Sequence, residues 1–189
     1  MMEKDFKKYR WFFTSSGKLV IGGKSSSQNE EIVKSADKND IILHTSSPGS
    51  PFCIIKEPTK EDIEETAIFD ACFSQEWKRG KKKSEVHIFS KIKIIKNKEM
   101  KEGTFGIVGS PKKINVELKL ALVIQEGKLR AVPLKTAGKE GMLILAPGKI
   151  EKEAATEKIL SLLKEKFNIV VSKDDVLSAI PSGGFDIRG

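Results

Sequence analysis

Cysteine is scarce in this chain of 189 residues: only Cys53 and Cys72 occur. Both lie in apolar runs and neither has a Cys or His at metal-ligand spacing, so a disulfide scaffold and a zinc site find no support. The two histidines, His44 and His87, are too few and too far from the cysteines for a metal or nucleophile constellation. No metal or cofactor is expected. No stretch approaches the eighteen or so apolar residues of a membrane span, and the opening MMEKDFKKYR lacks the apolar run of a signal peptide, so a cytoplasmic protein with no membrane partner is expected. Low-complexity segments and internal repeats are also missing. With 39% hydrophobic and 32% charged residues, the composition is that of a globular protein with a buried core.

Another absence removes an obvious enzyme class. Gly23-Lys24-Ser25, after a strand and before a helix, looks like the end of a phosphate-binding P-loop, but that motif needs a Gly five positions before its Gly-Lys pair. Lys18 stands there, and Gly17 is one residue too early. What survives is physical: free backbone N–H groups at a helix start, with Lys24 beside them, can seat a phosphate.

What the chain has in plenty is positive charge. Lys and Arg number 34 against 26 Asp and Glu, a net +8, which favours polyanionic partners. From Lys78 to Lys113 twelve Lys or Arg face only Glu85, Glu99 and Glu102, so this one segment holds more than the whole surplus. A solvated lysine-rich surface is the plainer reading of such a run.

Hydrophobic periodicity predicts an α+β protein, a mostly antiparallel sheet with packed helices followed by a second small α+β unit, divided as residues 1–115 and 116–189. Arg10 to Ser15 and Lys18 to Ile21 read as a hairpin turning at Ser16-Gly17. Ser27 and Glu30 have capping-box spacing, predicting a helix from Gln28 to Ala36. Asp40 to Thr45 and Phe52 to Lys56 read as buried strands. Thr59 and Asp62 open a helix that the pattern carries through Trp77 to a stop at Gly80. Glu85 to Ile95 reads as one strand with a bulge or bend near Phe89-Ser90, and Thr104 to Val108 as another. In the tail, Val116 to Gln125, Lys128 to Pro133, Met142 to Ala146 and Asn168 to Val171 read as strands. Helices are expected over Glu151 to Phe167 and, capped by Ser172, over Lys173 to Ala179.

Several of these words recur in a fixed order. Trp11-Phe12 through Ser15-Ser16-Gly17, Val20-Ile21-Gly22-Gly23-Lys24, Gln28-Asn29-Glu30 and Asp40-Ile41-Ile42-Leu43-His44 are followed by Gly49-Ser50-Pro51, Ile54-Ile55-Lys56, Ala71 to Trp77 and Gly103-Thr104-Phe105-Gly106-Ile107. Over residues 6–115 this set resembles the NFACT-R domain, the RNA-binding module of NFACT proteins that act with ribosomes in quality control of stalled translation. The chain is similar to the short, stand-alone archaeal members. Where the long proteins carry an Asp two residues after the strand histidine and a second His just before the glycine, Ser46 and Pro48 stand here.

The resemblance implies RNA binding, to tRNA or rRNA and through it the ribosome; a non-catalytic role is expected because the residues supply no paired acid and base, metal cluster or nucleophile elbow at recognisable spacing. The candidate corner is Gly22, Gly23, Lys24, Gln28, Asn29 and Ser50, with His44 ending a nearby strand. Lys81, Lys82, Lys83, Lys91 and Lys93 would neutralise phosphates. One ring of the Trp11, Phe12, Phe13 run is free to stack on a base, since a strand shows alternate residues to opposite faces; spacing does not say which, and Trp11 stands as the candidate. Two rivals remain at this level, an enzyme that modifies or cleaves RNA using His44 with a polar neighbour such as Gln28, and a ribosome-docking adaptor using the tail.

Overall fold

The computed structural model describes residues 5–189. A six-stranded antiparallel sheet is built from β1 (Arg10–Phe13), β2 (Leu19–Gly22), β3 (Ile41–Thr45), β4 (Cys53–Ile55), β5 (Lys83–Ser90) and β8 (Lys112–Glu117), in the spatial order β1-β2-β4-β3-β5-β8. The hairpin of β1 and β2 turns through Gly17, whose φ of +85° suits glycine. Strands β2, β3 and β4 read as unbroken apolar runs because both faces of the sheet are covered. Val20, Leu43, Cys53, Ile55 and Val86 pack on one side with Phe12, against helix α2 (Lys60–Cys72). Ile21, Ile42, Ile54 and Phe89 pack on the other, beneath Ile32 and Val33 of helix α1 (Ser26–Ser35). The cap of α1 is Ser25, whose side chain accepts from Gln28 N–H, so the helix starts two residues before the expected Gln28.

The expected long helix after Thr59 is two. The Thr59–Asp62 capping box is present, but the chain breaks at Phe73-Ser74, and α3 (Gln75–Lys78) starts anew. Ser74 is the cause: its hydroxyl donates to the Ala71 carbonyl at 2.7 Å and accepts from Glu76 N–H at 3.0 Å, so it caps the second helix instead of continuing the first. Of the bulge or bend expected near Phe89-Ser90, the structure has the bend. Strand β5 pairs with β3 as far as Ile41↔Ser90; Lys91 N–H then bonds Asp40 C=O at the point where β3 begins. The chain leaves the sheet in a 3-10 turn (Lys91–Lys93) and forms a small separate hairpin of β6 (Ile94–Ile95) and β7 (Gly106–Ile107).

The tail forms a second antiparallel sheet, order β10-β9-β11-β12, from β9 (Leu120–Gln125), β10 (Lys128–Pro133), β11 (Ile144–Ile150) and β12 (Phe185–Arg188), with α4 (Leu134–Ala137), α5 (Lys152–Phe167) and α6 (Lys173–Ala179). The stretch Val116 to Gln125 is therefore not one strand. Its start completes β8, beside β5 in the front sheet, and its remainder opens the second. Asn168 to Val171 is not a strand either: Asn168 takes a left-handed φ of +54°, and its N–H and that of Ile169 bond back to Lys164 and Leu163, ending α5. Strand β12, with Phe185 and Ile187 buried, went unread in the sequence. Phe167, the last residue of α5, is 36% exposed.

One continuous apolar cluster runs from Phe12 and Leu43 through Phe69 and Trp77 to Leu122, Ile159 and Phe185. Helix α2 lies between the two sheets, which is why Asp62, Glu65 and Asp70 on it are buried along with its apolar residues.

Candidate nucleic-acid interface

Strand β2 ends at Gly22 and the chain turns through Gly23 into α1. Neither glycine has room for a side chain. A β-carbon on Gly22 would sit 2.9 Å from Cys53 Sγ, and one on Gly23 would sit 2.1 Å from Asn29 Oδ1. The turn is fixed by the polar residues that follow: Gln28 Oε1 accepts from Lys24 N–H and Asn29 Oδ1 accepts from Phe52 N–H, both at 2.9 Å. With those oxygens engaged, the amino ends of Gln28 and Asn29 and the Lys24 ammonium are the donors left for a ligand.

The opposite wall is the loop Gly49-Ser50-Pro51. Its glycine has φ +97°, and its carbonyl accepts from Gln75 N–H at 3.0 Å, docking the start of α3 there. Ser50 is buried, its hydroxyl accepting from Thr45 N–H. Between the walls lies a cleft of about 340 Å³, lined by Arg10, Lys24, Asn29, Phe73, Gln75 and Lys78 among others, and by Ser182 of the tail. It carries three cations and no carboxylate. Arg10 donates to Gly23 C=O at 2.7 Å, with its guanidinium 5.4 Å from the Phe73 ring centre.

The structure thus gathers Gly23, Lys24, Asn29 and Ser50 at one cleft, with Gly22 and Gln28 shaping its wall, and leaves other candidates elsewhere. Trp11 is 1% exposed, with Phe6 edge-on at 5.0 Å and the Arg130 guanidinium 4.2 Å from its ring centre. No face is open for a base, and the ring that lines the cleft is Phe73. His44 stacks on Phe52 at 4.4 Å and donates from Nδ1 to Thr45 C=O at 2.7 Å. Burial lowers its pKa, keeping the imidazole neutral at pH 7. His44 and Gln28 share no hydrogen bond among the described residues.

The lysines form two groups. Lys81, Lys82 and Lys83 are exposed at the start of β5, with Lys82 Nζ bonded to Pro147 C=O of the tail. Lys91 and Lys93 lie past its far end, about 25 Å away along an eight-residue strand. Lys78 links the cleft to the first group. Sequence reasoning missed Arg10, Phe73, Gln75 and Lys78. Arg10 was within reach of it, since the period-two pattern places it on the face of β1 with Phe12; the other three reach the cleft through the helix break at Ser74. Among the described residues no group of His, Cys, Asp and Glu is placed to hold a metal ion, and no helix is long and apolar enough to cross a membrane.

Known proteins resemble this chain in sequence and in fold. The chain is 32% identical to the archaeal Rqc2 homolog aRqcH of Methanocaldococcus jannaschii over 97% of its own length and 29% of that protein. It is 38% identical over 78 residues to the ribosome quality control complex subunit NEMF of Homo sapiens, 38% of this chain and 7% of that one. It therefore spans less than a third of either relative. The C-terminal part of the fibronectin/fibrinogen-binding protein from Streptococcus suis has the same fold over 57% of this chain and 44% of its own, with a TM-score of 0.53 and 22% identity. The model of the NFACT protein RNA binding domain matches residues 8–109, the stretch that builds both walls of the cleft and both lysine groups. The chain belongs to the NFACT protein RNA binding domain family.

Proposed function

We propose that this chain binds RNA of the translation apparatus, tRNA or rRNA, in ribosome quality control in the cytoplasm, and acts by binding rather than by turnover. The observation that carries the reading is the cleft itself: Arg10, Lys24 and Lys78 line it together with Ser25 and Ser26 at the start of α1, and no carboxylate lines the space. Three cations and a helix start favour a phosphate. The amino groups of Gln28 and Asn29 are suited to a nucleotide edge, and Phe73 offers an aromatic surface. Lys81, Lys83, Lys91 and Lys93 extend the positive field along the strand at distances a polynucleotide spans. The names of the relatives, a Rqc2 homolog and a ribosome quality control complex subunit, give the cellular setting.

Titrating unfractionated tRNA and rRNA fragments against the protein tests this. Affinity should fall steeply between about 50 and 200 mM salt through counterion release. Lys24→Ala should reduce discrimination among RNAs, while Lys81→Ala weakens all of them alike. Affinity that ignores salt, or RNA binding untouched by Lys24→Ala and Lys78→Ala together, would overturn the reading.

A further inference from the structure

Beside the cleft, at the seam between the two sheets, lies a recess of about 10 Å³, room for a single oxygen-sized group. Arg10, Lys24 and Phe73 line both spaces; the recess adds Trp11 of β1, Arg130 of β10 and Ser178 of α6. A third cation thus enters from the tail. We propose that the cleft together with this recess is a composite site for one phosphate group of RNA, gripped by Arg10 and Lys24 of the front sheet and by Arg130 of the tail. The proposal rests on the RNA-binding reading and adds the tail to it.

Three observations carry it. Like charges are drawn together with no carboxylate among the residues lining either space. Lys24 is close enough to Arg10 and Arg130 that both, after burial, lower its affinity for a proton, and Arg10 acts in the same sense on Lys152. Asp175, whose charge acts on Arg130, is also engaged by the Ser172 hydroxyl and N–H and by Lys128 at 4.0 Å. Secondly, buried donors wait at the seam: Arg130 Nε and Trp11 Nε1 have no hydrogen-bond partner among the described residues. Buried N–H groups are nearly always paired, so an acceptor supplied by a ligand would complete them. Thirdly, Arg130 is pre-positioned. Its guanidinium lies 4.2 Å from the Trp11 ring centre, which fixes the plane of a fork suited to two phosphate oxygens.

Two measurements on the full chain test the site. The first uses variants and unfractionated tRNA. Arg130→Met keeps the apolar stem over Trp11 and should weaken binding about tenfold, with the salt slope reduced by about one. Arg130→Lys should recover only part, and Arg188→Met, on the exposed end of β12, should change nothing. Parent-like affinity and slope in Arg130→Met, with Lys24→Ala impaired, would overturn the composite site and leave the RNA reading standing; loss of effect in both would sink the two together. The second uses the unaltered protein, so it does not depend on a variant folding. The Arg130 Nε–H and Trp11 Nε1–H resonances should shift when an oligoribonucleotide is added. Shifts only with a 5′-phosphorylated oligonucleotide assign the site to a terminal phosphate, and shifts with the 5′-hydroxyl form as well assign it to the internal backbone. No shift with either, under conditions where binding occurs, overturns the proposal.

Discussion

The Gln125 carboxamide pairs with the backbone of Phe13 as a neighbouring strand would, accepting its N–H at 2.9 Å and donating to its C=O at 2.8 Å. Strand β1 is the edge of the front sheet, and one side chain from β9 satisfies part of that edge while tying the tail to it. Gln125→Ala leaves both groups of Phe13 unpaired at a partly buried position. The expected cost is about 1–3 kcal/mol, read as a lower urea midpoint together with faster exchange of the Phe13 amide.

Glu30 binds the small hairpin to α1. Its carboxylate meets Lys34 Nζ at 2.8 Å, Gly103 N–H at 2.9 Å and Lys96 Nζ at 2.9 Å, and these partners hold its pKa down to about 2. A carboxyl lowered in the folded state stabilises fully above its unfolded value near 4.3, and that contribution is lost as pH falls through about 2. Glu30→Gln should remove it at every pH. The Gly103 amide should then exchange faster at neutral pH, the strands of the front sheet staying protected; unchanged exchange at Gly103 would contradict the role.

Asp70 behaves oppositely. It is fully buried on α2, neither oxygen meets a partner at hydrogen-bonding geometry, and burial pushes its carboxyl well above the usual range. The Cys53 thiol and Thr45 backbone offset only part of that. A raised folded pKa means the group's contribution is whole below its unfolded value, near 4, and is lost as pH rises through the folded one. Asp70→Asn should therefore raise the urea midpoint at pH 8 and flatten its decline from pH 5 to 8. A variant less stable than the parent at pH 8 would show that the carboxylate has a counter-charge.

Gly23→Ala should disable the corner without unfolding the protein. The added methyl would fall on Asn29 Oδ1, whose bond to Phe52 N–H joins the two walls of the cleft. Losing one such bond costs about 1 kcal/mol. Discrimination among RNAs should fall more than thermal stability does, as measured by competition binding beside a melting curve.

The local parts of this molecule were legible because local chemistry decides them. The hairpin at Gly17, the Thr59–Asp62 capping box, the Ser172 cap and the Gly22–Asn29 turn each lie within a few residues of their determinants. Misreadings occur where a distant element overrides the pattern and where a local cap interrupts it. The 90–95 run alternates like a strand, yet its pairing partner ends at Ile41, so the ladder stops there. Ser74 sits in a helical pattern and caps instead. Of the site, Lys24 and Asn29 were visible, while Lys78 and Arg130 reach it only through tertiary packing. Charge runs carry no information about facing: Lys82 reaches the tail, and the other lysines divide between the ends of β5.

Because α2 is the shared keel of both sheets, the two units stand or fall together. Glu65, midway along it, takes the Ser15 N–H at 2.8 Å from one side and the Thr136 hydroxyl at 2.6 Å from the other. Cutting the chain at residue 115 would sever β8 and strip one flank of this helix, laying Phe69 and Trp77 open to water. A shortened protein of that kind would report on collapse of the keel rather than on what the tail contributes to RNA, which is why single-residue changes at the seam are the informative experiment.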